Sequence, residues 1–289
     1  MLCNVGCQSG LPSLISRASV RDMESIASRI EHSWQVAIGA AKAAGEYIAQ
    51  HPLEGGGVRF KDEAGLNAVT EIDEAAERII LDTVQKTFPE DSIFSEESGD
   101  VATGSLWKWV IDPLDGTTNF THNLAHSNVS IALLYDGKPV VGVVFNPFTN
   151  ELFSAYGTTQ STVNGVQLQP SICAVASKAI ITLGRSSEGK AKIRHAALYG
   201  YLHPLVRTTR VLGASAIDLC MVAAGRIDGA VWNDMRHYDV AAAAFIAQNA
   251  GLIVTDFSGS PFNWAVPLSD LLIAPVQLHA NLVNLLKNS

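Results

Sequence analysis

The sequence predicts a layered α/β fold. Two long stretches near the amino terminus repeat their apolar residues at helical spacing. The middle of the chain breaks into short apolar runs joined by turn dipeptides. The second half alternates strand-like and helix-like segments, as layered α/β lobes do.

From Met23, the apolar positions Ile26, Ile30, Trp34, Ala37, Ala41, Ala44 and Ile48 form one helical stripe. His51-Pro52 and the Gly55-Gly56-Gly57 run end it. A second helix starts near Thr70, whose spacing to Asp73 suits an N-cap with an acid in the first turn. Ile72, Ala76, Ile79, Ile80, Val84 and Phe88 are its inner face. Strands are expected at 92–94 and 107–111, with a hairpin of 127–135 and 139–145 around Asp136-Gly137. Residues 151–156 and the Asn164-Gly165 turn extend the meander. Beyond it, strands are expected at 175–183, 207–212, 229–232, 252–255 and 271–273. Helices are expected at 190–201, 214–224 and 240–250, with a last one from about residue 278. This divides the chain into an extension at 1–22, an α+β lobe at 23–170 and an α/β lobe at 171–289.

The chain has 289 residues, 47% of them apolar, enough for a sizeable core. No apolar run reaches the roughly 18–20 residues of a membrane span, so no membrane partner is expected. The net charge is −8 with no basic patch, which argues against a nucleic-acid partner. A small anionic substrate would then need positive charge supplied locally, and metal ions are the obvious source. Four cysteines make no disulfide framework, so a cytoplasmic location is the default. Residues 1–22 lack a secretory apolar stretch and read as an organelle transit peptide or as an upstream start before Met23.

Three acidic clusters stand where predicted strands stop: Glu96-Glu97, Asp112-Pro113-Leu114-Asp115-Gly116, and Tyr238-Asp239. Strand ends are the usual place for α/β active sites. Asp112 emerges from a buried strand, Pro113 is expected to turn the chain, and Asp115 returns to the same side. Two converging carboxylates repel each other unless a cation lies between them, and hard oxygen ligands suit Mg²⁺. Gly116 allows close backbone approach, and Thr117-Thr118 opens a short helix whose N–H groups can bind phosphate. The bland alternative is a surface turn with capping acids. His122 and His126 stand four apart, a zinc-like spacing, but packing or surface roles are the expectation. Arg185 ends a strand and is read as a loop arginine or as a contact for an anion.

The full run Asp112-Pro113-Leu114-Asp115-Gly116-Thr117-Thr118-Asn119-Phe120 resembles the signature of the inositol monophosphatase family, the lithium-sensitive, metal-dependent phosphatases. The other two acidic clusters follow in the family's order, and the likeness runs from about Val36 to Ser289. The resemblance implies a five-layer αβαβα sandwich, two to three Mg²⁺ per site, and a homodimer. It assigns Glu96, Asp112, the Leu114 carbonyl, Asp115 and Asp239 to the metals. Asp73 and Thr117 would activate a water, without a covalent phosphoenzyme. Asp115, Gly116, Thr117, Thr118 and the segment Gly213-Ala214-Ser215 would line the substrate, most simply inositol monophosphate. Histidinol phosphate, a sugar phosphate or a 3′-phosphonucleotide are the rivals, and a regulatory binding protein that lost its chemistry is the rival from another class. Thr118, where nucleotidases more often carry lysine, favours the inositol branch. One departure matters. Where many relatives carry a hydroxyl-reading glutamate, seven residues before Asp239, this chain has Trp232, and Asp234 is the nearest substitute.

Overall fold

The computed structural model describes residues 20–52, 58–60, 68–185, 189–264 and 268–287. Helix α1 (Val20–Gln50) begins just before Met23 and buries Ile30, Ala37, Ala41, Ala44 and Ile48. Most of the 1–22 extension and the Gly55–Gly57 run lie outside the described residues. A short antiparallel pair, β1 (Val58–Phe60) and β2 (Ala68–Thr70), leads into α2 (Glu71–Thr87). Thr70 caps α2 as expected. Its side chain accepts from the Ile72 and Asp73 amides, and Asp73 accepts from the Thr70 amide at 2.8 Å.

The large sheet uses β3 (Ser92–Ser95), β4 (Gly99–Val101) and β5 (Trp107–Asp115), followed by the short helix α3 (Thr117–Thr121). It continues with β6 (Asn128–Tyr135), β7 (Lys138–Asn146), β8 (Glu151–Tyr156), β9 (Thr162–Val163) and β10 (Val166–Gln167). Their spatial order is β10-β9-β8-β7-β6-β5-β3-β4, and every neighbouring pair except β3–β5 is antiparallel. Asp136-Gly137 and Asn164-Gly165 both sit at positive φ, the backbone that a tight two-residue hairpin turn requires.

The second sheet uses β11 (Ile180–Arg185), β12 (Thr208–Arg210), β13 (Gly229–Met235), β14 (Ile253–Thr255) and β15 (Ser269–Ala274) in the order β12-β11-β13-β15-β14. Between them run α4 (Gly189–Leu202), α5 (Ser215–Ala223) and α6 (His237–Asn249), and α7 (Val276–Leu286) closes the described chain. The strand expected from residue 175 starts only at Ile180, because 176–178 form a 3-10 turn.

The layers are α1/α2, the large sheet, α5/α6, the small sheet, and α4/α7: a five-layer αβαβα sandwich. Three apolar clusters fill the gaps. The central one is rich in alanine from α6, Ala241 to Ala244, which lets that helix lie very close to the large sheet. At Gly142 on β7 a Cβ would stand 2.4 Å from the Ala242 carbonyl oxygen, so glycine is needed for that approach.

Candidate active site

β5 does not turn at Pro113, as the sequence suggested; it continues to Asp115 through a bulge. Asp112 pairs with Ser130 and Asp115 with Asn128, three steps along one strand against two along the other. Residues three apart on a regular strand face opposite sides, and one extra residue restores the parity. Proline is tolerated there because a bulged residue has no ladder bond to donate. The bulge therefore brings both carboxylates toward one site.

Asp112 is 2% exposed and its Oδ1 accepts the Leu114 amide at 3.1 Å. Burial pushes its carboxyl well above the usual range, and Glu96, Asp115, Asp239 and Asp73 push it further. Asp239, in the first turn of α6, is also raised well above its usual value, by burial and then by Glu96 and Asp115. Asp115 is raised by burial, against donors from Asn128, Ser215 and Ala216. Acids from α2, the turn after β3, β5 and α6 thus share one electrostatic pocket. Among the described residues no three carboxylate, imidazole or thiol groups stand together at ion-binding distance; Mg²⁺ commonly uses only one or two carboxylates and completes its shell with water and other oxygens. The donor set still fits a hard divalent cation in kind: carboxylate oxygens that raise one another's pKa are relieved by positive charge between them.

Beside this pocket, Thr117 Oγ1 lies 3.0 Å from Asp73 Oδ1 and 3.0 Å from the Leu114 carbonyl, so its one proton has two acceptors. Burial pushes Asp73 up to about 6, while hydrogen bonds from Thr70 and Thr117 oppose the rise. Gly116 has φ 84°, and a Cβ there would meet Ala214 Cβ at 2.9 Å and the His126 carbonyl at 3.0 Å. No side chain fits between these neighbours.

The Gly213–Ser215 segment reaches the site, but the adjoining amides serve Asp115. Ser215 N donates to Asp115 Oδ1 at 2.9 Å and Ala216 N to Oδ2 at 2.7 Å. Asn128, wholly buried, adds a third donor to Oδ2 at 2.8 Å. Asn119 Nδ2 ties the His126 and Leu212 carbonyls together at 2.9 Å each. His126 Nε2 pairs with the fully buried Asp218 at 2.6 Å, and His122 bonds the Thr118 carbonyl. Sequence reasoning missed Asn128 and Asp218. Their only signal was a polar residue within an otherwise apolar element.

Trp232 is 2% exposed and belongs to the central core, its ring laid on Gly184, where a Cβ would stand 2.1 Å away. Trp232 therefore presents no open face to a substrate at the position where many relatives carry the hydroxyl-reading glutamate. Asp234 lies on a second bulge at φ 56°, bonded by Asn233 at 2.8 Å and paired with Arg194 at 3.2 Å.

Residues 30–289 match the model of the inositol monophosphatase family. The chain is similar to the inositol-1-monophosphatase of Synechocystis sp., 39% identical over 208 residues, covering 71% of this chain and 72% of that protein. It is similar to Nus factor SuhB of Escherichia coli, 38% identical over 229 residues, covering 78% and 85%. Among solved structures, the inositol monophosphatase of Anabaena superposes with a TM-score of 0.80 at 31% identity, covering 90% of this chain and 97% of that one.

Proposed function

The chain belongs to the inositol monophosphatase family, and from that premise we propose that it is a Mg²⁺-dependent phosphatase of a small polyol phosphate, inositol monophosphate first among them. The observation that carries this reading is the buried Asp112 with Glu96, Asp115 and Asp239 all acting on it, beside a Thr117–Asp73 pair. Glu96, Asp112, the Leu114 carbonyl, Asp115 and Asp239 would hold the ions. Mg²⁺ bound there supplies Lewis-acid neutralisation of phosphoryl charge and makes water a better nucleophile.

The chain's own residues do the rest. Thr117 Oγ1 donates its hydrogen bond to Asp73 and keeps lone pairs to accept from the attacking water, so that a proton taken from water onto Thr117 is matched by the Thr117 proton passing to Asp73 and the hydroxyl is restored. Asp73, charged above about pH 6, receives the proton that water loses. The amides of Gly116 and Thr117, at the start of α3, would donate to the phosphate, and Gly116, in the left-handed backbone, leaves no Cβ in the way. Asp115, fixed by three donors, stays oriented for ion and substrate alike.

Phosphate release from inositol 1-phosphate, with and without Mg²⁺, tests the proposal. Turnover should require the ion and fall with millimolar-order Li⁺; wild-type protein that hydrolyses no phosphate monoester at any Mg²⁺ level sinks it. The reading includes a homodimer in the cytoplasm. The SuhB relatives are named Nus factors, so family membership lends no support to the charge-based expectation that nucleic acid is not a partner. Among the described residues no helix is long and apolar enough to cross a membrane.

A further inference from the structure

Helix α2 carries two buried acids one turn apart, and only Asp73 has a place in the chemistry above. Glu77 is 7% exposed, on the same face as Asp73, Ile80 and Val84. Its Oε1 alone accepts three hydrogen bonds, from Ser95 Oγ, from Ser98 N at 3.0 Å and from Ser98 Oγ at 3.2 Å. Those donors bracket Glu96 and Glu97. From the opposite side, Glu96 N donates to the Ile111 carbonyl at 3.1 Å, one residue before Asp112. The turn that presents Glu96 is thus pinned between β5 and α2.

We propose that Glu77 is a positioning residue for the ion site, fixing the Glu96 turn against α2 and hence against the Asp73–Thr117 pair. This rests on the reading of Glu96 as an ion ligand. An ion site works only when its ligands are held to within about half an ångström by the groups behind them. Removing such outer partners typically weakens metal affinity about 10–100-fold. Glu77 suits the task because a carboxylate only accepts and has capacity for several donors from one turn. With alanine there, Ser95 Oγ and Ser98 N lose their acceptor and the turn loses its anchor on α2. Because Asp73 and Glu77 share one rigid helix face, α2 also sets the spacing between the Glu96 turn and the Thr117–Asp73 pair.

The test uses the full chain and Mn²⁺ as a paramagnetic stand-in for Mg²⁺, with affinity read by electron paramagnetic resonance and by calorimetry. Glu77→Ala should bind Mn²⁺ about 10-fold or more weakly, and raise the Mg²⁺ needed for half-maximal rate by a similar factor. Glu77→Gln keeps one acceptor oxygen and should stay within about 3-fold of wild type. Ser98→Ala, at an exposed position, removes one donor and should weaken binding a few-fold even where Glu77→Ala fails to fold. Folded Glu77→Ala with wild-type Mn²⁺ affinity overturns the proposal, whatever its melting temperature. Unchanged affinity in Ser98→Ala beside an unfolded Glu77→Ala overturns it too. Wild-type protein that binds no Mn²⁺ removes both this inference and the phosphatase reading. Wild-type binding and turnover with indifferent variants removes this one alone.

Discussion

At Asp112 the chain accepts a local penalty. The carboxyl is buried among four other acids, and its folded pKa is raised above the unfolded value. A raised acid costs stability once the pH passes its unfolded pKa, so at neutral pH the charged form strains the ion-free fold. Asp112→Asn keeps the oxygen that accepts the Leu114 amide and removes the charge. It should raise the melting temperature in chelator by a few degrees while abolishing most turnover; a variant with near-wild-type rates at saturating Mg²⁺ would remove Asp112 from the ion site. Asp73 yields a pH prediction. Its carboxyl, pushed to about 6, must be charged to take a proton, so the rate should rise with pH with a midpoint at or below about 6. A bound cation can only lower that midpoint. In Thr117→Val the remaining rate should lose this acid limb, and a limb centred well above 7 in wild type would argue for another base. The acids proposed as ligands could be picked out of the sequence because each stands beside a strand end within a dense motif. The residues that orient them could not. Asp218 and His126 lie 92 positions apart, and Glu77 reaches a turn 18 to 21 residues away. Such pairs exist only after the sheets have formed.

The elements were legible where period and turn chemistry agreed. The α1 stripe, the α2 cap and the two Asx-Gly hairpins all depend on local backbone preferences. The bulges in β5 and β13 were not legible, since an extra residue in one strand is defined only by the register of its partner. Pro113 looked like the end of a strand because proline normally interrupts one. Here the sheet absorbs it at the bulge and thereby aligns Asp112 with Asp115. The close seat of α6 on β7 was invisible for the same reason, although the Ala241–Ala244 run makes sense once it is seen. Gly142→Ala places a methyl 2.4 Å from a helix carbonyl that has no side-chain freedom with which to yield. Overpacking of this kind typically costs about 1–3 kcal/mol. The displaced helix carries Asp239, so denaturant unfolding should show the loss and Mg²⁺ activation should weaken with it. Wild-type stability in Gly142→Ala would mean that the two layers slide apart freely.

Across the whole molecule the site is a seam. The large sheet and α2 supply Asp73, Glu96, Asp112 and Asp115, while α5 and α6 supply the Ser215 and Ala216 amides and Asp239. The groups proposed for catalysis gather on the side of the large sheet, and on that reading the small sheet should set which alcohol is accepted. There the two candidates for reading hydroxyls are both otherwise engaged. Trp232 is locked over Gly184 in the core, and Asp234 is bonded to Asn233 and Arg194. A buried acceptor discriminates strongly because a mismatched substrate leaves it unpaired; an indole sealed in the core cannot do so. The expected result is broad use of polyol phosphates: kcat/KM values for inositol 1-phosphate, glycerol 2-phosphate and histidinol phosphate within about tenfold of one another, a span of about 1.4 kcal/mol. Trp232→Glu is a poor probe, since it would bury an unpaired carboxylate and destabilise the core. Asp234→Ala is the better one: it leaves the core intact and should shift all three substrates equally. A steep preference for inositol phosphate that collapses only in Asp234→Ala would show that Asp234 leaves Arg194 to bind the substrate, and that specificity is narrow after all.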